Sequence, residues 1–489
     1  MKVTAPQMDR AAGVMLGTAV GDALGAGYEF TYPTAATRID MIGGGTFAWE
    51  PGEWTDDTAM AVAIAEVAAT GADIGRGRGL DAVAAQFVRW YDSNPKDIGN
   101  QTSSVLRRRA GSAAAMQAHA RALTGRKAGN GSLMRTAPVA LAYLDDRAGC
   151  LDAAARISAL THDDPTAEQA CSLWSHAIRH AVLHGTFDGV RGYLEIASPE
   201  VADFWRPLLD AAERGTPADF ARNGWVVHAL QTAWWAITTT PGAGEDHLRG
   251  ALEAAVRAGG DTDTTAAIAG GLLGARWGAA AIPLRWRRML HGWPGHDAGD
   301  LVRLAVDTVR GGAEPDRTRR RTRITVVHGD ITTLRVDAVV NSTDVHFSGE
   351  GGVDRALHRA GGPAVRAACD TLRATTLPDG LTVGAAVATT AGDLPATWIV
   401  HTVGPRYSRS EDRAAQLRAA YTRSLRAAEA LGARTVAFPL IAGGAGGWPA
   451  ADAMRHAVAA LTGADADVEE VVLVTPDPRA AESMRRALG

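Results

Sequence analysis

Gly311-Gly312-Ala313-Glu314-Pro315-Asp316-Arg317-Thr318-Arg319-Arg320-Arg321-Thr322-Arg323 marks the place where this 489-residue chain changes character. Glycine and proline interrupt helices, and a dense run of like charge resists compaction, so the stretch predicts an exposed Arg-rich linker over residues 309–322. Its arginines offer a contact for a nucleic acid or a phosphorylated partner, but a solvated linker is the simpler reading and is adopted here. Before the linker the sequence is alanine-rich, and apolar residues recur at helical spacing over 11–24, 59–69, 80–90, 168–184, 225–237 and 264–277. This predicts an all-α domain over residues 8–308. After it, short β-branched runs at 324–327, 338–340, 398–401, 435–439 and 471–474 alternate with helical patterns at 353–359, 413–431 and 450–461. That alternation predicts an α/β domain over 323–489, with a largely parallel sheet and helices on both faces.

The global properties agree with two domains. A chain this long exceeds one ordinary core, and 46% hydrophobic with 21% charged residues describes a globular protein. A formal net charge of −4 gives no overall attraction to nucleic acid or to an anionic membrane. The first ten residues are polar, and no run of 18 uninterrupted apolar residues occurs, so neither a signal peptide nor a membrane span is expected. Cys150, Cys171 and Cys369 are scattered without metal-ligand spacing, as small buried residues of a reduced, cytoplasmic protein would be.

Two acidic packets carry the chemistry of the first domain. Thr55-Asp56-Asp57 and Asp261-Thr262-Asp263-Thr264 each open an apolar helical run. Helix capping accounts for one acid in each. Two per packet exceed what a cap needs, and carboxylates with flanking hydroxyls suit a hard cation such as Mg²⁺ or Mn²⁺. Taken in order, Gly21-Asp22-Ala23-Leu24-Gly25, Thr55-Asp56-Asp57, Gly129-Asn130-Gly131 and Asp261-Thr262-Asp263-Thr264 resemble the ADP-ribosylglycohydrolase family. This family includes the dinitrogenase-reductase-activating and ADP-ribosylarginine hydrolases, and the likeness runs over about residues 8–300. The resemblance implies an all-α fold and two Mg²⁺ or Mn²⁺ ions held by Thr55, Asp56, Asp57, Asp261, Asp263 and Thr264. It makes Glu29 the acid beside the metals, and Glu29, Asp56, Asp57 and Asp263 the catalytic set. Asp97, Gly99 and Asn100, together with Gly129, Asn130, Gly131 and Ser132, match substrate loops, and His162 matches a histidine near the bound nucleotide. Read alone, Gly-Asn-Gly is an ordinary turn and His162 a surface or capping histidine. Trp225 falls where relatives often carry tyrosine and is a candidate for the pocket; Trp234 and Trp235 read as core.

The second domain resembles a macrodomain, an α/β module that binds ADP-ribose. The likeness rests on Gly329-Asp330-Ile331-Thr332, Val336 to Asn341, Gly351-Gly352-Val353-Asp354, His401 to Pro405, and Phe438 to Gly447. It implies ligand contacts from Asp330 (to adenine), Ile331, Asn341, Gly351, Gly352, Val353, Asp354, Gly443, Gly444, Ala445 and Gly446, with no metal. Asp354 matches the carboxylate that hydrolytic macrodomains of the MacroD type use to activate water. The chain departs from the pattern at Asp344, which replaces the second Asn of Asn-Ala-Ala-Asn. Glu350 replaces a glycine, and Ala442-Gly443-Gly444 replaces Ser-Thr-Gly. Asp344 near Asp354 either raises one carboxylate's pKa and aids proton transfer, or joins Glu350 in repelling a diphosphate.

The expectation is an ADP-ribosyl hydrolase acting on a modified protein or nucleic acid, arginine-linked by preference, with a macrodomain that binds or also cleaves ADP-ribose conjugates. Its rivals are a non-catalytic ADP-ribose reader, a hydrolase of O-acetyl- or nucleobase-linked ADP-ribose, and an antitoxin that reverses a partner toxin's modification. No membrane partner is expected.

Overall fold

Glycines recur at every fourth position of the first helix, Ala5–Gly25, which puts Gly13, Gly17, Gly21 and Gly25 on one face. The helix Thr262–Trp277 meets that face with Gly270 and Gly274. Their backbones touch. A β-carbon on Gly17 would lie 2.2 Å from the Gly270 carbonyl oxygen, and one on Gly21 2.0 Å from that of Ala266. No larger residue permits this approach. The contact sets Asp22, near the end of one helix, against Asp263 at the start of the other.

The computed structural model describes residues 3–312, 322–444, 446–464, 466 and 468–488, which divide into two compact units. Most of the expected linker, residues 313–321, and the candidate ligand residue Ala445 lie outside the described residues.

The first unit is helical. Its predicted segments appear as Ala5–Gly25, Asp56–Ala68, Gly77–Asp92, Pro165–His184, Val226–Thr239 and Thr262–Trp277. A two-stranded hairpin, β1 (His291–Gly292) with β2 (His296–Asp297), qualifies the all-α description. Trp54, Trp90, Trp174 and Trp205 are among the largest fully buried side chains. The Trp174 indole donates to the Ile268 carbonyl at 2.9 Å, tying Pro165–His184 to Thr262–Trp277. Trp234 is buried and Trp235 half-buried, whereas Trp225 is exposed.

The second unit is a six-stranded sheet in the order β3-β8-β7-β4-β6-β5. These strands are β3 (Arg323–His328), β4 (Ala338–Ser342), β5 (Ala386–Thr390), β6 (Trp398–Thr402), β7 (Thr435–Phe438) and β8 (Glu470–Thr475). All neighbours are parallel except β5 with β6. Both faces are covered, and the strands divide their side chains accordingly. Val340, Val400, Phe438 and Leu473 enter one core; Val339, Ile399, Ala437 and Val472 enter the other. β5 and the helix Pro478–Leu488 have no counterpart in the sequence reading. The first is a short Ala/Thr-rich edge strand, and the second is a charged helix that buries only Ala481 and Met484.

The candidate active site and its relatives

Thr55 caps the helix Asp56–Ala68: its hydroxyl accepts from Asp57 N. The cap is itself held by Asp22, whose carboxylate accepts from Thr55 N at 2.9 Å and from Thr58 N at 2.9 Å. Asp22 is fully buried, and the sequence reading gave it no place in the site. It is the bond that carries the helix contact into the first acidic packet. The second packet is fixed through Asn130. This side chain donates to Asp261 Oδ2 at 2.7 Å and to the Asn223 carbonyl at 2.9 Å. Asn223 in turn accepts from Asp261 N at 3.1 Å. Glu29 is anchored by its neighbours, since Phe30 N donates to Gly260 O and Gly260 N to Thr31 O.

These bonds gather the acids. One oxygen each from Asp22, Asp57 and Asp263 lie within 4.8 Å of one another, and so do those of Glu29, Asp261 and Asp263. The two triads share Asp263. Thr55 Oγ1 and Thr264 Oγ1 donate to Asp57 Oδ2 at 3.0 and 3.4 Å. Glu29 Oε2 and Asp57 Oδ1 are buried without a hydrogen-bond partner. No ion pair reaches these acids among the described residues.

The electrostatic consequence is uniform. Burial first, then the neighbouring carboxylates, push Glu29 up to about 8 and hold Asp56, Asp57 and Asp263 well above the usual carboxylate range. Burial likewise raises Asp22 to about 6 and lifts Asp97 and Asp261. Orphaned carboxylate oxygens in a buried ring of like charge fit hard divalent cations.

A stability prediction follows from the sign of these shifts. Unfolded, Glu29 loses its proton near the ordinary value of 4.5; folded and cation-free, it keeps the proton until about 8. The folded state binds more protons across that window, so stability of the cation-free protein should fall as pH rises from about 4.5 to about 8. Mg²⁺ or Mn²⁺ should flatten the fall, because both bind the carboxylate form. Calorimetric melting with and without a chelator checks this; a cation-free stability that rises over the window overturns it.

The remaining candidate residues fall into two groups. Gly129 and Gly131 lie against the His162 ring, and Gln101, next to the 97–100 segment, braces both chain stretches. Its amide donates to the Lys127 and Thr161 carbonyls at 3.0 and 2.9 Å. Gln101 was not among the sequence candidates, although it directly follows Asn100. Gly99 and Asn100 start the short helix Asn100–Leu106. Ser132 points elsewhere. Its hydroxyl is buried and accepts from Ser158 Oγ at 2.8 Å and from Cys171 at 3.5 Å, so its side chain serves the core. Exposed Trp225 pairs with Gly129 across an isolated bridge.

In the second unit, the candidate loops follow the C-terminal ends of the parallel strands β3, β4 and β7, where open α/β sheets bind ligands. Asn341 on β4 stands opposite His401 on β6. Its amide donates to Asp354 Oδ1 at 2.6 Å and to His401 Nδ1 at 3.1 Å, leaving its own Oδ1 buried and unpartnered. Asp354 also accepts from Thr343 Oγ1 and from Gly349 N, both at 3.0 Å. His358 Nε2 lies 3.3 Å from it. Burial alone would raise Asp354, but these partners, His358 foremost, hold it below the ordinary carboxylate range. This corrects the expectation that Asp344 lifts it. Asp344 is exposed and instead accepts from His346 N at 2.7 Å and from Ser348, ordering its own loop. Asp330 is likewise engaged locally, by Thr332 N at 2.9 Å, and Ile331 is buried. Gly351, Gly352 and Val353 begin the helix Gly352–Thr375, and a β-carbon on Gly352 or Gly444 would meet nothing within 4 Å. Gly443 and Gly446 pack on Leu440 and Ala442.

A cluster of carboxylates in a helical scaffold is joined in one chain to an α/β unit with open glycine loops, a candidate hard-cation site together with a candidate ligand-binding module. The sequence profile of the ADP-ribosylglycohydrolase family matches residues 3–317, and that of the Macro domain matches residues 340–457. This chain belongs to the ADP-ribosylglycohydrolase family and carries a C-terminal macrodomain. Among its relatives, an ADP-ribosylarginine hydrolase of Pseudomonas putida is 31% identical over 292 residues, 57% of this chain and 73% of the relative. A macro domain-containing protein of Streptomyces coelicolor is 51% identical over 168 residues, 34% of this chain and 99% of the relative. An O-acetyl-ADP-ribose deacetylase of Citrobacter rodentium is 47% identical over 137 residues, 28% of this chain and 76% of the relative. Among the described residues, no helix is long and apolar enough to cross a membrane.

Proposed function

We propose that the helical unit hydrolyses the bond between the ribose C1″ of ADP-ribose and a modified target, arginine-linked by preference, and that the macrodomain binds ADP-ribose conjugates. The observation that carries this reading is the pair of carboxylate triads sharing Asp263, buried at every member but the half-buried Asp261. The arginine preference draws on the likeness to the P. putida enzyme. Two divalent cations, Mg²⁺ or Mn²⁺, held by Thr55, Asp56, Asp57, Asp261, Asp263 and Thr264, would offset the clustered negative charge and activate water.

The chain's own residues do the rest. Water adds its oxygen to C1″, the C1″–N bond breaks, and arginine leaves with a proton. Glu29, which has one unpartnered oxygen and clusters with Asp261 and Asp263, would take the proton from water once cationic charge restores its carboxylate form. Asn130 orients Asp261, and the 129–131 loop offers its backbone to the diphosphate. The test is a panel of arginine-, serine- and nucleobase-linked ADP-ribose with O-acetyl-ADP-ribose, assayed with Mg²⁺ and with Mn²⁺. Release of ADP-ribose from none of them sinks the reading.

For the macrodomain, a specific observation favours binding over catalysis. A carboxylate with four protein partners and a depressed pKa is a weak base. Asp354 thus serves first as the anchor of the 343–351 loop. Asp354→Ala is expected to weaken ADP-ribose at this unit about tenfold, the loss of one charge-assisted hydrogen bond. In calorimetry of the full chain, one of two binding steps should shift. O-Acetyl-ADP-ribose hydrolysis present in the wild type and absent from Asp354→Ala would make the module an enzyme as well.

A further inference from the structure

Arg135 is fully buried, with no carboxylate at ion-pair distance among the described residues. It ends the Gly129-Asn130-Gly131-Ser132-Leu133-Met134-Arg135 stretch, which the resemblance matches to a substrate loop. Its guanidinium lies 4.4 Å from the Phe87 ring centroid, and Nη2 donates to Thr161 Oγ1 at 2.7 Å. Thr161 Oγ1 also lies 2.7 Å from His162 Nδ1.

The protons on this chain can be assigned by elimination. A guanidinium only donates, so Thr161 Oγ1 accepts from Arg135. Besides His162 Nδ1, no acceptor for the hydroxyl's single proton is in reach among the described residues, so that proton is satisfied only when Nδ1 presents a lone pair. Burial and the nearby Arg135 charge hold the His162 ring down to about 3, so it is neutral and carries one N–H. That N–H is on Nε2. The Nε2 edge faces the gap left by two glycines: a β-carbon on Gly131 would lie 3.1 Å from Cε1 and 3.3 Å from Nε2, and one on Gly129 3.3 Å from Nε2. No protein acceptor engages Nε2 among the described residues.

We propose that Arg135 and Thr161 are positioning residues that lock His162 as its Nε2–H tautomer, so that it donates to an anionic oxygen of the ligand, a diphosphate oxygen, at the 129–131 loop. The nature of the ligand rests on the hydrolase reading above; the tautomer does not. An imidazole fixed in this way is a neutral donor that costs no proton transfer on binding, and the glycines leave room for the oxygen to reach it.

The test is long-range ¹H–¹⁵N correlation of the full chain with labelled histidine, His162 being assigned among the 14 histidines by its loss in His162→Gln. The wild type should show protonated Nε2 and unprotonated Nδ1, with the Nε2 resonance moving on addition of ADP-ribose. Thr161→Val should give mixed tautomers and raise KM for the ADP-ribosylated substrate about tenfold with little change in kcat. Thr161→Ser should restore both, which separates the relay from a packing defect. His162→Gln, whose amide nitrogen reaches the Nε2 position, should keep KM lower than His162→Asn. An Nδ1–H wild type, or a Thr161→Val chain with unchanged tautomer and KM, overturns the proposal. If no linkage is hydrolysed while Nε2–H still responds to ADP-ribose, the hydrolase reading fails and this one stands.

Discussion

Asp57→Asn should lower turnover on the order of 10³-fold, the loss that follows removal of one preorganised electrostatic group, while raising the melting temperature of the cation-free protein. The two effects have one cause. Asp57 is 1% exposed, has an oxygen without a partner, and sits among Asp22, Asp56 and Asp261, all of which raise its pKa after burial does. Each such carboxylate destabilises the empty fold and is useful only when positive charge enters. The neutral amide keeps the shape and removes the repulsion. Melting of wild type and variant with and without Mn²⁺ should therefore show a higher cation-free midpoint for the variant and a smaller gain from the cation. A variant that melts lower without cation and gains as much with it would mean that Asp57 acts as an ordinary structural hydrogen-bond acceptor.

Gly21→Val should have the largest effect on stability, and it should cost the site as well. A β-carbon there would lie 2.0 Å from the Ala266 carbonyl oxygen and 2.4 Å from its carbon, both backbone atoms that cannot rotate away. Overpacking of this kind costs about 3 kcal/mol, or roughly 6 °C in melting temperature for a unit of this size. Separating the helices Ala5–Gly25 and Thr262–Trp277 also moves Asp22 and Glu29 away from Asp263. Cation-induced stabilisation should thus vanish even at temperatures where the chain stays folded. Gly111→Ala is the control, since a β-carbon there meets nothing within 4 Å. Equal behaviour of the two variants would refute the close helix contact.

Much of the architecture was legible. Period-3.6 apolar spacing marked helices such as Pro165–His184, and β-branched runs marked five of the six strands of the second sheet, because burial of a face imposes its period on the residues that line it. Doubled acids stood out because a cap needs only one. What stayed hidden depends on partners far apart in the chain. Asp22 reads as the tail of an apolar helix until its bonds to Thr55 and Thr58 are seen. Ser132, beside a Gly-Asn-Gly loop, reads as a ligand contact, yet its hydroxyl turns to Ser158 and Cys171. Asp344 and Asp354 read as a coupled pair, but local backbone donors claim the first and Asn341, Thr343, Gly349 and His358 claim the second.

The sequence by itself thus determined the two fold classes, the ADP-ribose chemistry they share and the acid packets, since each is written in local pattern or in the order of short motifs. Tertiary structure alone decided which acids meet and which carry unpaired oxygens. The physical reason is that burial and hydrogen-bond completion are set by neighbours in space. Here a ridge of glycines lets two backbones touch, and that contact brings residues more than 200 positions apart to one carboxylate ring.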